Sequence, residues 1–345
     1  MTKTAHVWAP LNRPELALLD EISDLIRREE WRYPDALNSV RHGPTMLITC
    51  DYGGMHRAAR YETLAFLVAD LAFVWLWNEF RQSIRTKFLS DGRRLSYKQL
   101  GDRKRAQAVV PFLRASNTIP GLLLVCAVDK RCLPLLSEPL PAANESQIRL
   151  GAWKTAPFER LTRVGLLGAM LIAAMSAPGQ NVFWFTDQDA IAPNVARLRE
   201  ATALMAHYVG HLCPHTLGHL RFGTTECDDG TLQLEDLTTL PDMAAGAVSE
   251  LFSQVHGFNG IAASSMMLAA PATLPKKARM LAGWLADRPR PPHPLRKLLV
   301  LVEDRGNATH KTSLVRLETD QLLPEFDWRP EVQDYMSDKL VIPSH

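Results

Sequence analysis

Residues 122–128, Leu-Leu-Leu-Val-Cys-Ala-Val, carry no charge and follow the turn pair Pro120-Gly121. An extended segment that is apolar at both odd and even positions has no face left for water. It must be covered on both sides, as in the middle of an α/β sheet. Two more β-prone runs suit the same sheet. Residues 45–50 stop at Asp51 ahead of Gly53-Gly54, and residues 182–186 stop at Asp187 and Asp189.

Helical segments fall between these runs. Residues 158–176 are nearly apolar all round and predict a central helix closed by Pro178-Gly179. Asp102 predicts the N-cap of a helix reaching about residue 116. Further helices are expected at 80–89, 193–211 and 242–256, and a strand at 215–222. Residues 61–74 read as a second strand leading into another element, although their length alone does not separate strand from helix. The expected organisation is one α/β core over 43–260. A helical N-terminal extension, 1–42, precedes it, with apolar spacing through Leu16, Leu19, Ile22 and Ile26. An αβ appendage, 261–345, follows, with a helix at 276–286 and a strand at 298–302. Between them lies a stiff linker of Pro289, Pro291, Pro292 and Pro294, and 326–345 reads as loosely structured.

Composition removes several classes. With 46% hydrophobic and 22% charged residues, a chain of 345 residues buries a core and is not globally disordered. Five cysteines, an odd number with no framework spacing, point to a reducing compartment. The N-terminus lacks the apolar core of a signal peptide, and the most apolar runs, 71–78 and 164–178, fall short of the roughly 20 residues that span a bilayer. A cytoplasmic protein without a membrane partner is expected.

The net charge is +2, so no long-range field favours a polyanion. Charge is instead unevenly spread. Nine basic residues lie between Arg81 and Arg105 against Asp91 and Asp102, and six acids without Lys or Arg lie between Glu226 and Asp242. A basic segment beside an acidic cluster suits a protein that holds a phosphate backbone near a bound cation; a solvated, self-compensated helix face explains it equally well.

The acids give that reading chemical content. Asp51 and Asp187 end strands, and Asp242 opens the small-residue stretch Met243-Ala244-Ala245-Gly246-Ala247. Sites in α/β sheets form at the carboxyl ends of strands. Carboxylates converging there need a positive charge between them, and Mg²⁺ or Mn²⁺ is the hard cation that oxygen ligands suit. Each aspartate alone is more simply a turn or cap residue.

Asp51-Tyr52-Gly53-Gly54, the segment Tyr97-Lys98-Gln99-Leu100-Gly101-Asp102, residues 183–189 and Leu232-Gln233-Leu234 followed by 241–247 together resemble the ribonuclease H-like family catalogued as domain of unknown function 3800. The resemblance covers about residues 45–256. It implies a ribonuclease H-like mixed sheet flanked by helices and a nuclease activity associated with defence or mobile elements. On that reading Asp51, Asp187 and Asp242 hold the metal and are catalytic, while Lys98, Arg103 and Lys104 contact nucleic acid. The chain departs from the family's pattern in three places. Arg94-Leu95-Ser96-Tyr97-Lys98 stands where the family has Glu-x-Lys. The first motif has Tyr52-Gly53 where the family has Glu-Ser. Glu235 and Asp236 precede Asp242 in a split closing motif. Asp102, Glu62 and Glu235 are the alternatives for the second carboxylate. A degraded site on a nucleic-acid-binding or assembly subunit, with a protein partner, is the competing expectation.

Two weaker signals remain. His207, His211, Cys213, His215 and His219, with Cys227 nearby, are zinc-ligand types at unusual density, but their spacing matches no zinc module. Trp31 and Trp153, each beside basic residues, suit base stacking, and equally suit ordinary packing.

Overall fold

The computed structural model describes residues 8–32, 37–319 and 323, apart from 10, 12, 14, 15, 58, 133–149, 256–264, 288–293 and 308. Among them, eight strands form one mixed sheet in the order β5-β4-β1-β2-β3-β7-β8-β6. The strands are β1 Thr45–Gly53, β2 Tyr61–Asp70, β3 Gly121–Asp129, β4 Asn181–Thr186, β5 Leu220–Thr224, β6 Ser265–Ala269, β7 Arg296–Gly306 and β8 Thr309–Glu318. β2, β6 and β8 run opposite to the other five.

Helices cover both faces. α1 Ala17–Arg32, α5 Thr155–Met175 and α6 Val195–Leu212 pack on one side. On the other lie α3 Trp75–Phe88, α4 Arg103–Ser116, α7 Gln233–Gln254 and α8 Lys276–Ala286. A short α2, Asn38–His42, leads into β1. β2 and β3 are buried at every position, as strands between two helical layers must be. In β1 the side chains divide by parity. Met46, Ile48 and Cys50 join the α5 layer and Leu47 joins the α7 layer.

α5 shows how closely the layers approach. From Arg160 to Met175 it is buried all round. A Cβ on Gly168 would stand 2.1 Å from the Trp184 ring of β4, so only glycine lets the helix lie flat there. Each apolar side chain that such packing removes from water contributes roughly 1.5–3 kcal/mol.

The segments expected to be peripheral are part of this core. Described residues of 1–42 enter the α5 layer through Trp8, Leu19, Ile22 and Ile26, and the Trp8 indole donates to Ser23 Oγ at 3.0 Å. Residues 261–345 supply β6, β7 and β8. β7 pairs with β3 from Leu122↔Arg296 to Val128↔Val302. The charge-free strand thus gets its second neighbour from far along the chain, and the boundary at 260 does not part a fold from an appendage. α7 begins at Gln233 rather than at Asp242. Asp228 supplies its start by accepting from the backbone N–H groups of Leu232 and Leu234, at 2.8 and 2.7 Å. The expected strand at 215–222 is found shifted, as β5 at Leu220–Thr224. Residues 134–144, 257–260, 289–292 and 326–345 lie outside the described residues. No helix among the described residues is long and apolar enough to cross a membrane.

Candidate functional site

β1 and β4 are parallel neighbours paired through Cys50↔Thr186, so Asp51 and Asp187 leave adjacent strands at the same end of the sheet. Their parity places both on the α7 side, with Leu47 in β1 and with Phe183 and Phe185 in β4. α7 sits directly on this edge. Thr49 Oγ1 lies 2.9 Å from Thr238 Oγ1, and Thr63 Oγ1 donates to the Ala245 carbonyl at 2.9 Å. The small residues of α7 permit that approach. A Cβ on Gly53 would meet the Ala245 carbonyl at 3.1 Å, and one on Gly246 would meet the Tyr97 ring at 2.3 Å. Gly54, at φ +75°, then turns the chain away.

The result is a pair of facing carboxyls. The Asp51 and Asp242 carboxyls act on one another electrostatically, and each keeps a partly exposed edge. Asp242 Oδ2 also accepts from the backbone N–H of Tyr97 at 2.7 Å, and Asp51 Oδ1 from that of Tyr52 at 2.6 Å. Asp187 Oδ1 accepts from Gln188 N–H at 2.8 Å and from the Thr225 hydroxyl at 3.1 Å.

Electrostatics follow from this crowding. Burial, then Asp242, push the Asp51 carboxyl well above the usual carboxylate range; Asp189 and Asp187 add to the shift, and the Tyr52 N–H opposes it. Burial also raises Asp242. The Tyr97 N–H and Lys98 pull it back, while Asp187 adds repulsion. Asp189 is pushed up to about 6, chiefly by burial. Burial and neighbouring acids thus disfavour the charged form of both carboxyls.

Three buried acids elsewhere in the sheet and helices are treated differently. Glu62 on β2 accepts from Arg160 at 2.8 Å and Arg163 at 2.9 Å. Asp236 is held by Arg81 at 3.0 Å and by Arg85. Asp129 is held by Arg60 at 3.0 Å and Arg131 at 2.8 Å. Each is balanced by two guanidiniums. Asp242 has the nearby Lys98 charge, and Asp51 is surrounded by Asp242, Asp189 and Asp187.

These placements decide among the alternatives for a second carboxylate. Glu62 faces α5, on the side of the sheet away from Asp51, and its oxygens are taken by arginines. Asp102 caps α4, accepting from Arg105 N–H at 3.0 Å, and pairs with Arg93 at 2.9 Å, outside the site. Glu235, in the first turn of α7, pairs with Arg94 at 2.8 Å and feels Asp187, so it alone of the three borders the cluster.

The basic segment is largely self-compensated. Arg81 and Arg85 hold Asp236, Arg94 holds Glu235, and Lys104 stands 3.0 Å from Asp91. Arg103 begins α4 on the exposed surface, and Lys98 bears on Asp242. Trp31 lies exposed under Arg27, and Trp153 is committed to Glu200 and Arg197.

Sequence reasoning did not foresee Thr225, the Tyr97 amide or the stacking of Arg160 on the Tyr52 ring at 4.8 Å. Only Asp189 had a local signal, its position two residues beyond Asp187. Among the described residues, no group of three or more His, Cys, Asp or Glu is spaced to hold a metal ion in this arrangement. The histidine run is dispersed accordingly, with His215 Nε2 3.0 Å from Ser176 Oγ and His207 against the Tyr208 ring. No family model, no curated protein and no solved structure matches the chain.

Proposed function

We propose that the chain is a ribonuclease H-like, Mg²⁺- or Mn²⁺-dependent hydrolase of DNA or RNA phosphodiester bonds, with its site at the carboxyl ends of β1 and β4. The observation that carries this reading is the Asp51–Asp242 pair. Glu62, Asp129 and Asp236 each have two arginines, whereas this pair lies beside Asp187, where burial and acidic neighbours disfavour negative charge. The strand order β5-β4-β1-β2-β3, with β2 alone reversed among these five, supports the ribonuclease H-like part of it.

The donor set fits a hard cation. It is all oxygen, and burial among acidic neighbours makes it a place where positive charge is favoured. Asp51, Asp242 and Asp187 are the residues that would hold it. Magnesium, when bound, supplies a Lewis acid and acidifies its bound water. The Tyr97 and Tyr52 amides fix the orientation of the two central carboxyls, and the Thr225 hydroxyl fixes Asp187. Lys98, with Arg103 and Lys104 on the adjoining surface, would contact the phosphate backbone.

A second reading, a binding or assembly subunit with a degraded site, is favoured by one observation. No three ligand-type side chains are spaced for an ion in this arrangement. Cleavage of mixed DNA and RNA substrates in Mg²⁺ and Mn²⁺, by wild type and Asp51→Ala, separates the two. Hydrolysis lost in the variant is the expected result. A folded wild type that cleaves nothing with either metal would overturn the nuclease reading in favour of the binding role.

A further inference from the structure

β7 and β8 pair only from Leu299↔Val315 onward. Before that point β7 stays with β3, starting at Leu122↔Arg296, and β8 stays with β6, ending at Ala269↔Glu318. The two strands therefore part, and a cavity of about 250 Å³ opens at this place. Since β3 and β7 run parallel to β1, it lies at the end of the sheet opposite Asp51 and stands apart from the nuclease reading. Leu285, Leu298, Leu299, Leu314 and Leu317 supply apolar surface, and five charged residues also line it.

The charged residues divide between two faces. Strand alternation sets Arg296 with Leu298 and Arg316 with Leu314 on the α1 face, where Arg316 pairs with Glu29 of α1 at 2.8 Å. Lys297 and Asp287 stand on the α8 face. Lys297 Nζ donates to Asn117 Oδ1 and to the Trp284 carbonyl, both at 2.9 Å, and lies against the Trp284 ring. Asp287 Oδ2 accepts from Asn117 Nδ2 at 3.2 Å. An ammonium and a carboxylate thus line one cavity wall, each held by neutral groups and neither in an ion pair among the described residues. One ammonium hydrogen and Asp287 Oδ1 are left without a partner there.

We propose that this cavity binds an apolar α-amino acid as its zwitterion, with the carboxylate on Lys297, the ammonium on Asp287 and the side chain along the leucines. The spacing suits such a ligand. Asn117 Oδ1 and Nδ2, which hold Lys297 and Asp287, branch from one carbon. The two charges of an α-amino acid likewise flank one carbon. Charges kept from water are tolerated when they are paired. A zwitterion pairs both residues at once, whereas a simple anion or amine leaves one of them facing a like charge, and a hydrocarbon pairs neither. A cavity of roughly 150 Å³ holds benzene, so this one holds a side chain of that size together with the charged head. The ordinary alternative is that Lys297 and Asn117 only tie the end of α8 to β7, with water filling the cavity. That role predicts no preference among small solutes.

Calorimetric titration of the full chain tests the proposal. Leucine or phenylalanine is expected to bind with a Kd at or below about 1 mM, a modest demand for ligands of this size. Isocaproate is leucine without its ammonium, and isoamylamine is leucine without its carboxylate. Each should bind at least about tenfold more weakly than leucine, as should glycine, which keeps both charges and lacks the side chain. Asp287→Asn should weaken leucine by a similar factor and leave isocaproate no weaker, a split that a merely structural Asp287 would not produce. The wild-type comparison decides the matter should the variant not fold. No binding of either amino acid at about 10 mM, leucine binding no tighter than its two analogues, or unchanged leucine affinity in folded Asp287→Asn protein would overturn the proposal.

Discussion

Glu62 and Asp51 stand on neighbouring strands, and both are acids set among apolar residues, yet they end under opposite regimes. Glu62 points toward α5 and meets Arg160 and Arg163, each within 3 Å. Asp51 points toward α7 and meets another acid. The fold can neutralise a buried carboxylate, since it does so again for Asp236 and Asp129. Asp70, also fully buried, rests on backbone N–H groups instead, so the Asp51–Asp242 pair is the exception in being crowded by other acids. Such exceptions, where stability is given up, are where function concentrates.

The largest effect expected from breaking this contrast lies on the matched side. Glu62→Ala leaves buried Arg160 without its carboxylate and buried Arg163 with Glu159 alone. Stranded buried charge of this kind costs about 3–5 kcal/mol. Urea unfolding should show a loss of that size. A loss below about 1 kcal/mol would mean that the arginines find other partners and that the matched and unmatched regions do not differ in the way described.

Asp51→Asn should do the reverse. It removes a carboxyl that burial and Asp242 already disfavour as an anion, so stability at neutral pH should hold or rise by about 1 kcal/mol. Cleavage should fall by at least about a hundredfold, because metal-assisted charge stabilisation is worth several kcal/mol. Unfolding and cleavage measured on one preparation give both numbers. A marked loss of stability would make Asp51 a structural acid like Glu62.

A pH titration sharpens the same contrast more gently. Asp189 has its proton held to about 6 in the folded chain, against about 4 when unfolded. The folded state therefore binds the proton more tightly, and this group's contribution to stability falls as pH rises from about 4 to about 6, then levels. Asp189→Asn should abolish that fall. The difference between wild type and variant, read from urea midpoints at several pH values, should amount to about 1–2 kcal/mol after solvent screening. A constant difference across the window would remove Asp189 from the strained cluster.

How much of this was legible depends on the range of the signal. β3, β1 and β4 announced themselves by composition, and α4 by the Asp102 cap, because strand burial and helix capping are local. α8 spans the residues that its pattern marked. β8 and the pairing of β7 with β3 did not show, since nothing near residue 300 encodes its distance from residue 125. The start of α7 was hidden by Thr238, Thr239 and Pro241, which resemble a loop, and its capping acid lies outside the helix at Asp228. For the site, Asp51 and Asp187 were visible as strand-end acids. The distinction between Asp51 and Glu62 was not, because it rests on face, and face requires the register between β1 and β2.

The smallest expected effect concerns the cations. Lys104 is balanced by Asp91 on the surface, whereas the charge of Lys98 falls on Asp242, inside the candidate site. If a phosphate backbone lies across the acids, Lys98→Ala should weaken binding about equally for all sequences and lower the slope of log affinity against log salt by about 1. Lys104→Ala should change that slope by less, because Asp91 already offsets its charge. Fluorescence anisotropy with a labelled oligonucleotide, in Ca²⁺ to hold back cleavage and over a range of salt, compares the two. Equal effects would place the nucleic acid along the α4 surface instead of over Asp51 and Asp242, and would separate the basic segment from the acidic site.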